Sequence, residues 1–149
     1  METTADRSAI RKAPAHLWVV GTLATLWNGF ACLDYVLTNL RHPAYIAQLP
    51  PEMIDYIDAF PAWTIIAWGA GVALALLGSL LLLGRSLWAA YCFAFSLLTL
   101  AATQFYNFAT GWPESMNTPT NWIMNVVIWI VAVALLLYAI RMRTRKILR

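Results

Sequence analysis

The chain has 149 residues, of which 61% are hydrophobic and only 11% are charged. Soluble domains carry about 25% charged residues, so this composition excludes an ordinary water-soluble fold and is typical of an integral membrane protein. The net charge of +3 does not indicate nucleic acid, because the basic residues flank apolar segments, where membrane lipid headgroups are the expected partner.

Four apolar segments predict four membrane-spanning helices in a single all-α domain, a four-helix bundle covering residues 1–149. Each segment has about 20 residues, the length that crosses a hydrocarbon core about 30 Å thick. The predicted spans are residues 17–40, 62–84, 87–109 and 122–140.

The segments between the spans are short. In the loop between the first and second spans, which the orientation below makes external, Pro50-Pro51-Glu52 is followed by spaced apolar residues. This pattern predicts a short amphipathic helix at the membrane interface. In the second loop, residues 110–121, two prolines and a glycine favour a compact turn. Residues 3–12 are expected to be disordered.

The basic residues also predict an orientation. All ten Lys and Arg residues except Arg41 precede the first span, lie between the second and third, or follow the fourth. Because cytoplasmic segments of membrane proteins are enriched in Lys and Arg, both termini are predicted to be cytoplasmic.

Small residues recur every four positions in the second span, at Ala67, Gly71, Ala75 and Ser79. Such a small-residue stripe lets two membrane helices approach closely, so helix packing is its default interpretation. It is also a candidate contact between copies of the chain, if the protein forms a homo-oligomer.

Polar residues line one face of the first span, including Asn28 and Tyr35, and one face of the third, including Asn107. Such faces normally point into the bundle, where they form hydrogen bonds between helices. Two interpretations follow, structural hydrogen bonds or a polar cavity.

Three polar residues at one depth of the membrane favour the polar cavity over structural hydrogen bonds. Asp34, Gln104 and Asn125 each lie about 8 to 9 Å outward of the midplane of their own span, at a rise of 1.5 Å per residue. Asp34 is the strongest candidate, since a carboxylate within a span is costly unless it is paired, hydrated or protonated. We therefore predict a shallow ligand pocket open to the outside. Its predicted ligand-binding residues are Asn28, Asp34, Tyr35, Trp68, Gln104, Asn107 and Asn125.

Several chemistries are not expected. His16 and His42 lie near opposite membrane faces, so they cannot bind one haem together. The sequence has no Cys-x-x-Cys, no glycine-rich phosphate loop and no credible Ser-His-Asp set. We expect no metal, no cofactor and no enzymatic activity; a membrane enzyme with Asp34 as base is the weakest class.

A set of residues in the first three spans resembles a family of small bacterial four-span proteins that are often labelled sugar transporters or left uncharacterised. The residues that carry the resemblance are Leu26-Trp27-Asn28-Gly29, Asp34-Tyr35, Arg41, Tyr45, Pro51-Glu52, Tyr56, Phe60-Pro61-Ala62-Trp63, Trp68, Gly78-Ser79 and Arg85. The resemblance implies a four-span fold in a bacterial inner membrane and a transport function. It supplies no binding motif to match.

The leading functional expectation is a small inner-membrane protein that binds or transports a small solute, sugar-like or quinone-like, in the outward-facing pocket. Four helices form a narrow bundle, so transport favours a homo-oligomer. The alternative is a non-catalytic accessory subunit of a larger membrane complex.

Overall fold

The structure is a computed structural model that describes residues 13–149. The predicted disordered segment and the basic residues Arg7, Arg11 and Lys12 lie outside the described residues. Within residues 13–149 the fold is all-α and has no strand. Its helices are α1 (Ala15–Asn39), α2 (Pro43–Ile46), α3 (Pro51–Asp58), α4 (Ala62–Leu83), α5 (Trp88–Thr110) and α6 (Pro119–Thr144), with a 3-10 turn at Glu114–Met116.

Four of these helices, α1, α4, α5 and α6, are long and apolar enough to cross a membrane, which indicates a membrane protein. They confirm the four predicted apolar helices, although α6 begins before and ends beyond the predicted 122–140. The predicted loop helix is present as α3, which begins at Pro51, and its place at the membrane interface stays a prediction. Helix α2 was not predicted.

The long helices pack in the order α1, α4, α5, α6. Helix α4 packs closely against α1 and α5, and α5 packs against α6. We call the end that holds the start of α1, the α4–α5 turn and the end of α6 the terminal end. The opposite end, which carries α2, α3 and the 3-10 turn, is the loop end.

Glycines allow the close approach of α4 and α5. A Cβ atom added to Gly71 would lie 2.6 Å from Thr99 Oγ1, and one added to Gly78 would lie 3.1 Å from the Phe93 ring. Gly71 is buried, as is Ser79. The small-residue stripe predicted from the sequence therefore faces the interior of the bundle, as its packing interpretation requires.

The apolar core lies at the terminal end. Leu17, Leu82 and Met142 are fully buried there, and residues after α6 join the same cluster through Ile147 and Leu148. Burying a side chain of this size contributes about 1.5–3 kcal/mol when the alternative is water. The terminal end is therefore closed by packed side chains.

The tail after α6 (Arg145–Arg149) is held by backbone contacts to the α4–α5 turn. The Arg149 amide donates to the Arg85 carbonyl at 2.7 Å, and the Leu87 amide donates to the Arg149 carbonyl at 3.2 Å. Arg85 Nε donates to the Ile147 carbonyl at 3.1 Å. This docking was not predicted from the basic sequence of the tail.

Three long helices end with a basic residue in the left-handed conformation that glycine usually adopts. The residues are Arg41, Arg85 and Lys146, with φ of 52°, 59° and 56°. In each case the amide of this residue and the amide of the residue after it bond back to carbonyls of the last turn, which is the Schellman arrangement. A cation at this position complements the negative end of the helix dipole, which offsets part of the backbone cost.

Candidate intramembrane binding site

The four long helices surround a cavity of about 530 Å³. This volume lies within the range of about 300–1,000 Å³ that is usual for small-molecule sites. The cavity extends from Asp34 and Met124 towards the loop end to Phe93 and Leu135 towards the terminal end. Met124 and Leu135 are eleven positions apart on α6, which corresponds to about 16 Å along the helix axis.

The walls of the cavity are mainly apolar and aromatic. Trp27 and Phe30 come from α1, Trp68 from α4 and Phe93 from α5. At this level α4 contributes small residues to the lining. These are Ala67, Gly71 and Ala75, three members of the small-residue stripe.

The polar side chains in the middle of the cavity already donate hydrogen bonds within the protein. Asn28 Nδ2 donates to Ser79 Oγ at 2.9 Å, and the Ser96 hydroxyl donates to the Gly71 carbonyl at 2.8 Å. The Thr99 hydroxyl donates to the Ser96 carbonyl, and the Thr103 hydroxyl donates to carbonyls of the preceding turn of its own helix. These side chains can still accept hydrogen bonds from a ligand, but their N–H and O–H groups already donate within the protein.

Asp34 lines the cavity towards the loop end and accepts a hydrogen bond from Tyr45 of α2. Burial raises the pKa of Tyr45 to about 12, and the hydrogen bond to Asp34 and the charge of Asp34 act in the same direction. The tyrosine hydroxyl therefore remains a donor at neutral pH. The one ion pair formed among the described residues joins Arg41 to Asp58, so no described cation neutralises Asp34.

The mouth of the cavity lies between α1 and α6. The lining side chains that are also strongly exposed are Trp27 and Phe30 of α1, at 37% and 71%, and Met124 and Ile128 of α6, at 51% and 37%. The lining residues of α4 and α5 are buried or half-buried. The opening therefore faces sideways, towards lipid when the four helices cross a membrane.

The other predicted site residues lie outside the cavity lining. Asn125 Nδ2 donates to Gln104 Oε1 at 2.9 Å, which joins α6 to α5. Asn107 accepts from the Tyr56 hydroxyl at 3.1 Å, which joins α5 to α3. Tyr35 packs edge-on against Trp68, with the ring centroids 5.0 Å apart.

Of the seven predicted ligand-binding residues, the cavity brings together three, Asn28, Asp34 and Trp68. Trp27 and Phe30 were not predicted, although their spacings of seven and four residues from Asp34 put all three on one helix face. Tyr45 carried no signal, because a four-residue helix has no measurable periodicity.

Comparison of the chain with family models, with curated proteins and with solved structures finds no match. The resemblance to small bacterial four-span proteins therefore stays a prediction. No group of three or more His, Cys, Asp or Glu side chains within residues 13–149 is arranged to hold a metal ion. The interpretation of the cavity rests on its shape and chemistry.

Proposed function

We propose that this protein binds a small amphiphilic solute inside the membrane and exchanges it with the surrounding lipid through the mouth between α1 and α6. One observation carries the proposal. A cavity of about 530 Å³ with aromatic walls has its exposed lining residues on the two helices that flank the mouth. A solute dissolved in the bilayer can enter such a site without crossing the closed terminal end.

The lining favours a quinone-like body over a sugar-like one. A sugar carries many hydroxyl groups, and each that loses water without a new partner costs about 1–3 kcal/mol. Asn28, Ser96 and Thr99 already donate their hydrogen bonds to other groups of the protein. A flat or chain-like apolar body with one polar end leaves far fewer groups unpaired.

The distribution of basic residues supports an orientation in which both termini are cytoplasmic. The proposal of a bacterial inner membrane rests on the resemblance to small bacterial four-span proteins. In that orientation Asp34 and the loop end lie towards the outer leaflet, and the solute is taken from that leaflet. The conformation described here suits binding, because the tail and the apolar core close the opposite end. Transport requires a second conformation that opens it.

A second candidate is a non-catalytic accessory subunit, which the same mouth favours. A partner helix that contacts Trp27, Phe30, Met124 and Ile128 would cover four apolar side chains that α1 and α6 leave exposed. The occupant is then protein, and the cavity holds side chains of the partner.

The test is purification in native lipid, followed by mass spectrometry of small molecules and proteins that remain bound. Two matched substitutions on α6 make it specific. Ala132→Phe fills the cavity that Ala132 lines, whereas Ala134→Phe adds the same ring on the exposed face. We expect a solute that Ala132→Phe loses and Ala134→Phe retains.

A solute retained equally by both variants would contradict binding in the cavity. A stoichiometric partner protein without a small molecule, displaced by Ala132→Phe, would instead support the accessory subunit. Both variants are first checked for the thermal stability of the wild type, so that loss of the solute is not loss of the fold.

A further inference from the structure

Asp34 is the one ionisable residue in the lining of the cavity. A carboxylate inside an apolar, membrane-embedded site is costly unless a partner stabilises its charge. Among the described residues, Tyr45 supplies a hydrogen bond to one carboxylate oxygen, and no Lys or Arg forms an ion pair with it. The site therefore presents a negative charge that the protein compensates only in part.

The aromatic walls lie where they can help to stabilise a positive charge. Trp68 contacts Tyr35, the residue that follows Asp34, so the Trp68 ring and the carboxylate lie at the same level of the bundle. Phe30 precedes Asp34 by one helical turn and lines the same cavity. The faces of aromatic rings, those of tryptophan above all, attract cations within about 6 Å.

The hydrogen-bonding groups in the middle of the cavity also favour a positively charged ligand. The hydroxyls of Ser96, Thr99 and Thr103 donate to backbone carbonyls, and Asn28 donates to Ser79. These groups can therefore only accept hydrogen bonds from a ligand. A neutral quinone head, whose carbonyl oxygens only accept, finds no unused donor among these four side chains and is left with the indole N–H groups of Trp27 and Trp68 in the lining, whereas a cationic head needs no donor.

We propose that the cavity selects an amphiphilic monocation, a substituted amine or quaternary ammonium with an apolar body, whose charge lies between Asp34 and the Trp68 ring. This inference rests on the proposed function and adds the charge of the solute to it. The apolar body extends towards Phe93 and Leu135, where the lining is hydrocarbon.

Two probes of the same shape and opposite charge test the selectivity, tetraphenylphosphonium and tetraphenylborate. Binding of each to the protein in phosphatidylcholine nanodiscs is measured by equilibrium dialysis, and the uptake of empty nanodiscs is subtracted. We expect the phosphonium to bind about tenfold more tightly than the borate, or more, because Coulomb attraction to Asp34 favours the cation and the same charge repels the anion. Equal binding of the two ions, or binding of neither, would overturn the inference.

Two variants separate charge from structure. Asp34→Asn removes the charge, and we expect it to weaken phosphonium binding about tenfold while leaving borate binding no weaker, because the Coulomb attraction is lost. Tyr45→Phe removes the hydrogen bond from Tyr45 to Asp34 and keeps the carboxylate, so its phosphonium affinity should match the wild type or exceed it. An equal loss in both variants would show that the hydrogen bond matters and the charge does not, which contradicts the inference.

Failure of this inference is distinguishable from failure of the proposed function. A neutral solute that is retained in native lipid, lost in Ala132→Phe and kept in Asp34→Asn would leave the cavity as a binding site and reject its selectivity for cations. Absence of any solute in the wild type would reject the proposed function itself.

Discussion

The two ends of the bundle are held together in different ways. At the terminal end, Leu17, Leu82 and Met142 pack without exposure, and the tail adds Ile147 and Leu148. At the loop end the helices are joined by single polar contacts, such as the bond of Asn125 to Gln104, and by contacts between aromatic rings, such as those of Phe60 and Trp63 with Tyr106. Polar contacts between membrane helices average only about 0.6 kcal/mol. The tightly packed terminal end thus holds the bundle together, and the loop end can enclose a ligand.

Buried polar atoms sharpen the contrast. The buried side-chain nitrogen and oxygen atoms without a partner, among the described residues, all lie at the loop end. They belong to Arg41, Thr64, Gln104, Trp112 and Ser115. Each such group costs about 1–3 kcal/mol. The loop end is therefore less stable than the terminal end, and a substitution that removes an unpaired buried group from the loop end should stabilise the protein.

The largest effect is expected from truncation of the terminal core. Met142→Ala removes a side chain that is 1% exposed, and deletions of this kind cost about 2–5 kcal/mol of unfolding free energy. Met124→Ala at the loop end removes the same atoms from a side chain that is 51% exposed, and we expect a loss below about 1 kcal/mol. Unfolding in mixed micelles with a denaturing detergent measures both. Equal losses would contradict the contrast between the ends.

A gain in stability is expected at the loop end. Thr64 is fully buried and its hydroxyl has no partner, so Thr64→Val should raise the free energy of unfolding by about 1 kcal/mol. The control is Thr99→Val, whose hydroxyl donates to the Ser96 carbonyl at 2.8 Å. It should be neutral or destabilising. A stabilising Thr99→Val with a destabilising Thr64→Val would reverse the interpretation.

A smaller, pH-dependent effect is expected from the contact of Tyr45 with Asp34. The pKa of Tyr45 rises on folding from its ordinary value of 10.0 to about 12, so the contribution of the protonated hydroxyl is complete below pH 10.0 and is lost as the pH approaches 12. The stability difference between the wild type and Tyr45→Phe should shrink over that window.

The tyrosinate absorbance of the wild type, compared with that of Tyr45→Phe, reports the same titration directly. Because burial is the largest cause of the shift, Asp34→Asn should lower the pKa of Tyr45 without restoring its ordinary value. A stability difference that does not vary between pH 10.0 and 12 would contradict the assignment.

The smallest effect concerns the left-handed residue at the end of α6. Lys146→Gly relieves a backbone cost of about 1–2 kcal/mol and loses up to about 1 kcal/mol of favourable charge at the helix end, so we expect a net gain near 0.5 kcal/mol. Its neighbour Arg145 has φ of −78°, and Arg145→Gly should destabilise the protein. The same unfolding assay measures both, and a loss in Lys146→Gly larger than that in Arg145→Gly would argue against the conformation.

Much of the fold was predictable because the bilayer restricts it. A hydrocarbon core of fixed thickness sets the length of each span, and helices satisfy their own backbone groups, so four apolar runs sufficed to predict α1, α4, α5 and α6. The proline pair before Glu52 predicted α3. The docking of Ile147 and Leu148 was not predicted, although two adjacent apolar residues in a basic tail were its signal.

The candidate site was less predictable, since depth along a helix does not fix the direction of a side chain. Counting residues put Asp34, Gln104 and Asn125 in one layer, but their partners depend on which helices are neighbours. Because α5 packs against α6, Gln104 and Asn125 bond to each other, while Asp34 bonds to Tyr45 and lines the cavity. The order α1, α4, α5, α6 is a property of tertiary packing that periodicity does not contain.

The docked tail has a consequence for biosynthesis. The α4–α5 turn receives its hydrogen bond from the amide of Arg149, and Ile147 and Leu148 complete the core around Leu82. During translation, α1, α4 and α5 therefore enter the bilayer well before the contacts that close the terminal end can form. These contacts can form only once Arg149 has left the ribosome, so the terminal end of the nascent chain stays open until then.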